Sequence, residues 1–170
     1  NENIIANGLH NNIAVWKIAI SDKNGQVLLN SMTSGFGHSE SSTLDRGKIG
    51  KTNEVLGVTI KSFMSLNAVD MKDVCLIKID TEGSELLFLP DAKEFIHKHK
   101  PNIYISFHPA WYPDLEKAID TFVDFIFPTY ICIRMASSID NSTIMSRENF
   151  ADALRSKHNH SFLLTTGEKP

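Results

Sequence analysis

The chain has 170 residues, of which 42% are hydrophobic and 22% charged, an ordinary globular composition with enough apolar side chains for one core. Seventeen basic residues stand against twenty acidic ones, so the formal net charge is −3. This balance argues against nucleic acid or an anionic membrane surface as a partner, and we expect one domain over residues 1–170.

The first elements are a helix, a strand and a turn. The segment NENIIANGLH is typical of a helix end, with Gly8 in the left-handed conformation that stops helices. A strand is predicted over Ile13–Ile20. Asn24-Gly25 follows, and this pair between two β-rich runs predicts a hairpin into QVLLN.

A polar segment and a short strand come next. The segment Ser31–Lys51 is poor in apolar residues, and such a loop is either a surface insertion or a lid over a substrate. The run VLGVTI then predicts a strand. Thr59 is placed to cap a helix that continues to Leu66.

The middle of the chain alternates between strands and helices. Val74–Ile79 is a nearly continuous apolar run, as expected of a strand buried on both faces of a parallel sheet. A helix begins near Ser84, and we expect Pro90 to interrupt it before a second piece reaches Lys100. The next strand is predicted over Asn102–His108.

The last third continues this alternation. A helix is predicted over Asp114–Phe125, a strand in TYICIRM, a helix over Arg147–Lys157 and a strand in SFLLTT. The order predicts an α/β fold with a mostly parallel sheet and helices on both faces. Ligands bind such sheets beyond the carboxyl ends of the strands. The candidate binding residues are therefore those that end strands, namely Ser21, Asp22, Asp80, Glu82 and His108.

The segment IKIDTEGSEL places three carboxylates at the mouth of one strand. Asp80, Glu82 and Glu85 lie within six residues, and a partly desolvated carboxylate beside others is suited to general-base work. Gly83 permits a positive φ or a close approach. A structural role stays open, because Asp80 and Glu82 are equally placed to cap the following helix.

These segments carry a family resemblance. LIKIDTEGSELLFL, followed by KPNIYISFHP and preceded by AISDKNGQVLL, resembles the signature of FkbM-type methyltransferases over Asn3 to about Pro113. The resemblance implies a Rossmann-like methyltransferase sheet that is mostly parallel with an antiparallel last strand. It also implies that the first two strands, with their glycine-rich loop and ribose-binding acid, lie outside this chain, which begins at Asn1.

The resemblance further implies methyl transfer from S-adenosylmethionine to a hydroxyl of a small molecule or glycan. The positions that match the family's adenine-facing hairpin are Ala19, Ile20, Ser21 and Asp22. Asp80, Glu82 and Gly83 match the block beside the sulfonium, and His108 matches the strand end where substrate should lie. The candidate base is Asp80 first, Glu82 second and His108 third, whereas Glu85 is expected to be structural.

Two other functions remain open. Asp80, Glu82 and His108 are possible oxygen and nitrogen ligands of a metal-dependent hydrolase or lyase. The second alternative is that the chain is a catalytically silent remnant that binds a partner. His97 and His99 are two residues apart and fall on different helix faces, so they indicate a solvated helix end.

The cellular location is predicted from the two cysteines. No apolar stretch has the length of a membrane span, and no charged-then-apolar leader opens the chain. Cys75 and Cys132 each lie in an apolar run, which favours two reduced core thiols, although a disulfide is also compatible. We expect a cytoplasmic protein.

Overall fold

The structure is a computed structural model that describes residues 2–33, 39–42, 51–135 and 142–167. It begins with helix α1 (Glu2–Ala6). The chain leaves this helix at Gly8, whose φ of 68° confirms the predicted left-handed stop. None of the helices in these ranges is both long enough and apolar enough to cross a membrane.

A four-stranded sheet occupies the first third of the chain. Its strands are β1 (Ile18–Ile20), β2 (Gly25–Thr33), β3 (Ser39–Ser42) and β4 (Lys51–Val58). Their spatial order is β1-β4-β2-β3, with β1 parallel to β4 and the other two pairs antiparallel. Of the polar segment 31–51, residues 34–38 and 43–50 lie outside the described ranges, so its role as a lid stays a prediction.

The predicted Asn24-Gly25 hairpin is wrong, because β4 lies between β1 and β2. The side chain of Asn24 is instead used at the start of helix α2 (Ile60–Leu66), where its Oδ1 accepts from the Thr59 N–H at 3.0 Å. Thr59 caps this helix by accepting from the Ser62 N–H, as predicted. Asn24 thus makes a long-range hydrogen bond in place of the local hairpin turn that the dipeptide favours.

A five-stranded sheet forms the rest of the molecule. Its strands are β5 (Leu76–Ile79), β6 (Asn102–Phe107), β7 (Ile131–Arg134), β8 (Thr143–Met145) and β9 (His160–Thr165). The spatial order is β5-β6-β9-β7-β8. Three helices belong with it, α3 (Glu85–His99), α4 (Leu115–Ile126) and α5 (Arg147–Arg155).

The expectation of one mostly parallel sheet is wrong. The strands form two sheets, and in the larger one β5 and β6 are parallel whereas the three other described pairs are antiparallel. The antiparallel last strand is found: β9 lies between β6 and β7 and pairs with both in the antiparallel direction. Alternation of helices and strands constrains the connections, but it does not decide whether a final strand enters at the edge or in the middle of the sheet.

Strand β5 is an edge strand, contrary to the prediction of burial on both faces. Leu76 is 51% exposed, whereas Ile79 is 4% exposed. Cys75, just before the strand, is also exposed, so the prediction of a core thiol is wrong there. Cys132 in β7 is buried, and burial raises the pKa of its thiol to about 12.

Helix α3 is continuous, so the interruption predicted at Pro90 is also wrong. The proline is exposed and sits in the second turn of the helix. A proline there removes one backbone hydrogen bond, a cost that packing along the rest of the helix offsets. Lys100, with φ of 51°, ends the helix.

An aromatic core lies where β6 ends. Phe107 contacts three rings, with its centroid 4.3 Å from that of Phe122, 5.6 Å from Phe150 and 5.7 Å from Phe162. All four rings are fully buried, and burying each contributes roughly 1.5–3 kcal/mol. This core fixes the end of β6, and with it the residue that follows, His108. Ile20 of the smaller sheet packs against the hydrophobic core to which these rings belong.

Candidate functional site

The loop between β5 and α3 has an unusual backbone. Glu82 has φ of 53° and Gly83 has φ of 96°, so two consecutive residues are in the left-handed region. This conformation suits glycine but costs roughly 1–3 kcal/mol at a residue such as glutamate. The loop therefore holds Glu82 in a conformation that its own side chain disfavours.

A buried carboxylate fixes this loop. Glu85, the first residue of α3, is fully buried. Its Oε1 accepts from the backbone N–H of Thr81 at 3.0 Å and from the Thr81 hydroxyl at 2.8 Å. Charge-assisted hydrogen bonds of this kind are stronger than neutral ones. Glu85 thus ties the start of the helix back to the residue that follows Asp80.

His108 ends β6 and lies among three carboxylates. Only 5% of the residue is exposed. Its Nε2 is 3.7 Å from Asp80 Oδ1 and 3.5 Å from Glu82 Oε2, and its Nδ1 is 4.0 Å from Glu85 Oε1. The strand-end prediction placed Asp80, Glu82 and His108 together, and the structure brings them together at the carboxyl ends of β5 and β6.

The acidic side of this site is open to solvent. The side chain of Asp80 is 38% exposed and that of Glu82 is 25% exposed, whereas that of His108 is only 6% exposed. The ammonium group of Lys78 lies 2.9 Å from Asp80 Oδ2, and the other carboxylate oxygen, Oδ1, faces the histidine. A ligand can therefore reach the carboxylates, with the imidazole forming the floor of the site.

Tyr112 closes the buried side of the site. Its hydroxyl oxygen accepts from the backbone N–H of His108 at 3.2 Å and lies 3.5 Å from Glu85 Oε2. Burial, and next the charge of Glu85, raise the pKa of Tyr112 well above its usual range, so its hydroxyl stays protonated. The sequence favours equally, for Trp111 and Tyr112, a place in the lining of an acceptor pocket and a role in core packing or loop anchoring, but it does not reveal these contacts of Tyr112 with His108 and Glu85.

Ala19, Ile20, Ser21 and Asp22 belong to the other sheet, at the end of β1. Ser21 is 4% exposed; its N–H donates to the carbonyl of Val58 and its hydroxyl to Asp22 Oδ1 at 2.9 Å. The expectation that Asp22 and Asp80 end strands of one sheet is therefore wrong. Binding of adenine by residues 19–22 stays a prediction.

The histidines at the end of α3 are structural where their contacts are defined. His97 Nε2 is 2.7 Å from the carbonyl oxygen of Phe125, and its ring packs on that of the same phenylalanine. This contact joins α3 to α4. His97 is half-buried by this contact, so the prediction of a fully solvated helix end is wrong at this residue.

Comparison with known proteins gives one family. A family model described as the methyltransferase FkbM domain matches residues 1–128, about three quarters of the chain. The match includes β1, β5, β6 and the cluster of Asp80, Glu82 and His108. Neither the curated proteins nor the solved structures gave a match. The chain belongs to the FkbM methyltransferase family.

Proposed function

We propose that the protein is an S-adenosylmethionine-dependent O-methyltransferase whose acceptor is a hydroxyl of a small molecule or a sugar unit. The observation that carries this proposal is the cluster of Asp80, Glu82 and His108 at adjoining strand ends in a member of this family. A reactive hydroxyl placed there meets an accessible carboxylate on one side and a buried imidazole on the other.

The residues present fit the cofactor. When bound, S-adenosylmethionine supplies an electrophilic methyl group on a cationic sulfur. The carboxylates of Asp80 and Glu82 favour a positive charge beside them, and Gly83 allows close approach of the backbone. Asp22 is exposed and its carboxylate can accept from the adenine amino group, next to Ala19 and the half-buried Ile20.

The side chains supply proton transfer and alignment. Methyl transfer forms an O–C bond as the C–S bond breaks, with the electron pair remaining on sulfur. Asp80 Oδ1 accepts the proton of the acceptor hydroxyl or orients that hydroxyl, with Glu82 Oε2 and His108 Nε2 alongside. Such general-base assistance contributes about 10²–10⁴-fold in rate. Lys78, on the other oxygen of Asp80, keeps that carboxylate oriented.

Family membership favours methyl transfer over the two other readings of the sequence. A hydrolase or lyase built on Asp80, Glu82 and His108 would need the same residues but would not need S-adenosylmethionine. A silent remnant would need neither. Binding of the cofactor separates the first function from the others.

We place the reaction in the cytoplasm. Cys75 and Cys132 are both unpaired thiols in the structure. A protein with two free cysteines and no disulfide fits a reducing compartment.

The test is a transfer assay with the protein expressed from its full coding sequence. S-adenosylmethionine labelled in its methyl group is incubated with a panel of hydroxylated small molecules and sugars. We expect label in at least one acceptor as an alkali-stable ether, with equimolar S-adenosylhomocysteine. Label in no acceptor, together with no binding of the cofactor by calorimetry, would refute the proposal.

A further inference from the structure

The histidine of this cluster is unusual in its burial and in its hydrogen bonding. Only 5% of the surface of His108 is exposed, and its Nδ1 has no hydrogen-bond partner in the described ranges. Its Nε2 faces two carboxylate oxygens at 3.5 and 3.7 Å, beyond hydrogen-bonding distance. Nδ1 is on the Glu85 side of the ring, whereas Nε2 is on the side of Asp80 and Glu82, where a partner placed between the ring and the two carboxylates would contact all three groups.

The spacing of the ligand atoms identifies the kind of partner. One atom from each of Asp80, Glu82 and His108 lies within 4.8 Å of the other two. Two ligands about 2.1 Å from a shared ion are about 3 Å apart at a right angle and about 4.2 Å apart across the ion. The two nitrogen–oxygen distances, 3.7 and 3.5 Å, fall in this interval.

We infer that Asp80 Oδ1, Glu82 Oε2 and His108 Nε2 form a binding site for one divalent first-row cation. Two carboxylates and one imidazole suit Mn²⁺, Fe²⁺ or Zn²⁺ better than Ca²⁺, which prefers oxygen ligands alone. The three protein ligands leave coordination positions on the exposed side, toward solvent.

Glu85 gives this site an outer shell. Histidines that bind metals almost always direct their other ring N–H to a carboxylate, a carbonyl or water. His108 Nδ1 faces Glu85 Oε1 at 4.0 Å, and Glu85 is itself held by both polar groups of Thr81. This arrangement favours the Nδ1–H tautomer, which leaves the Nε2 lone pair for the cation.

The role of the cation rests on the proposed function. An acceptor hydroxyl that takes an open position loses its proton more readily, because a bound cation stabilises the alkoxide. The alkoxide oxygen then forms the bond to the methyl carbon as the C–S bond breaks, and the proton leaves to water at the exposed edge of Asp80. Asp80 orients the hydroxyl through the cation in this scheme.

The test measures binding of Mn²⁺ alone, by calorimetry and by the loss of the free-ion electron paramagnetic resonance signal. We expect one Mn²⁺ per chain. His108→Gln and Glu82→Gln should each weaken it by at least about tenfold, since loss of an outer-shell partner alone costs about 10–100-fold. The control is Glu94→Gln, an exposed carboxylate on α3, which should bind like the wild type.

Two outcomes would overturn the inference. One is no stoichiometric Mn²⁺ binding by the folded protein, and the other is binding that His108→Gln leaves unchanged. Its failure is distinct from failure of the proposed function. Methyl transfer that persists in excess chelator would refute the role of the cation but not the proposed methyltransferase function. Mn²⁺ binding without methyl transfer to any acceptor would support the cation site and count against the proposed function.

Discussion

Two buried histidines in the larger sheet have opposite surroundings. His160 on β9 is 9% exposed, and both ring nitrogens have partners: Arg134 donates to Nδ1 at 3.1 Å, and Nε2 donates to the Ala153 carbonyl at 2.8 Å. His108 on the neighbouring strand is buried just as deeply, but Nδ1 has no partner. A satisfied ring holds the fold together, whereas an unsatisfied ring beside exposed carboxylates is arranged for a ligand.

Cavity size does not make this distinction. His160 and Arg134 border a cavity of about 760 Å³, yet the histidine is fully hydrogen-bonded there. The cluster around His108 is defined by converging titratable groups instead. Convergence of such groups at strand ends is the stronger indication of chemistry.

The largest expected effect is on turnover. In the protein expressed from its full coding sequence, Asp80→Asn should lower kcat by about 10²–10⁴-fold and leave the Kd of S-adenosylmethionine nearly unchanged. The reason is that the asparagine keeps the shape of the side chain but can neither accept the proton nor bind a cation well. Steady-state kinetics and calorimetry give the two constants. Unchanged kcat would remove Asp80 from the chemistry, and loss of folding would show that its carboxylate is needed for the fold.

The next effect is on stability and should be larger at His160 than at His108. His160→Ala removes the hydrogen bonds that the buried ring makes with the guanidinium of Arg134 and the carbonyl of Ala153, so the free energy of unfolding should fall by about 1–3 kcal/mol. His108→Gln should lower it by less, because Nδ1 of that ring has no hydrogen-bond partner to lose. Urea unfolding measures both. Equal losses would mean that both histidines are structural.

Strain at Glu82 gives a smaller effect of opposite sign. Glu82→Gly should raise the free energy of unfolding by about 1 kcal/mol, because glycine adopts the positive φ without strain, while Mn²⁺ binding and methyl transfer are lost. The matched control is Lys100→Gly at φ of 51°, which should stabilise the fold with activity intact. A destabilised Glu82→Gly variant would show that the carboxylate supports the fold.

The smallest effect is a pH dependence at His160. Burial, and next the charge of Arg134, lower the pKa of His160 below its usual value of about 6.5, so the folded state keeps the ring neutral. The unfolded state then binds the extra proton first as pH falls. The stability this ring contributes is present above about pH 6.5 and declines below it, by at most about 1.4 kcal/mol per pH unit. His160→Gln should flatten this part of the pH–stability profile measured by urea unfolding. An unchanged slope would assign the dependence to other groups.

The sequence predicted the elements better than their partners. Periodicity located α4 and β6 closely, and a cap identified the start of α2. Strand neighbours depend on contacts distant in sequence, and for that reason the Asn24-Gly25 hairpin and the buried β5 were wrong. The apolar run Val74–Ile79 has the composition of a central strand, but exposure depends on whether a neighbour is present on each side.

The sequence predicted the residues that form the site but not the contacts that hold them in place. Asp80, Glu82 and His108 end predicted strands, and carboxyl ends of parallel neighbours meet at one edge. The contacts of Glu85 with Thr81 depend on a loop whose two positive φ angles the sequence indicates only through Gly83. The contact of Tyr112 with His108 depends on the turn Pro109–Trp111. No pattern in the sequence marks a histidine nitrogen as unsatisfied.

The most direct test of the difference between the two histidines is the ¹⁵N nuclear magnetic resonance of their ring nitrogens, with and without one equivalent of Zn²⁺. His160 should show the neutral Nε2–H tautomer in both samples. The Nε2 resonance of His108 should move on addition of the ion, and Glu82→Gln should reduce that movement. A His108 ring that does not respond, or two rings that respond alike, would contradict the assignment of His108 to ligand binding and His160 to the fold.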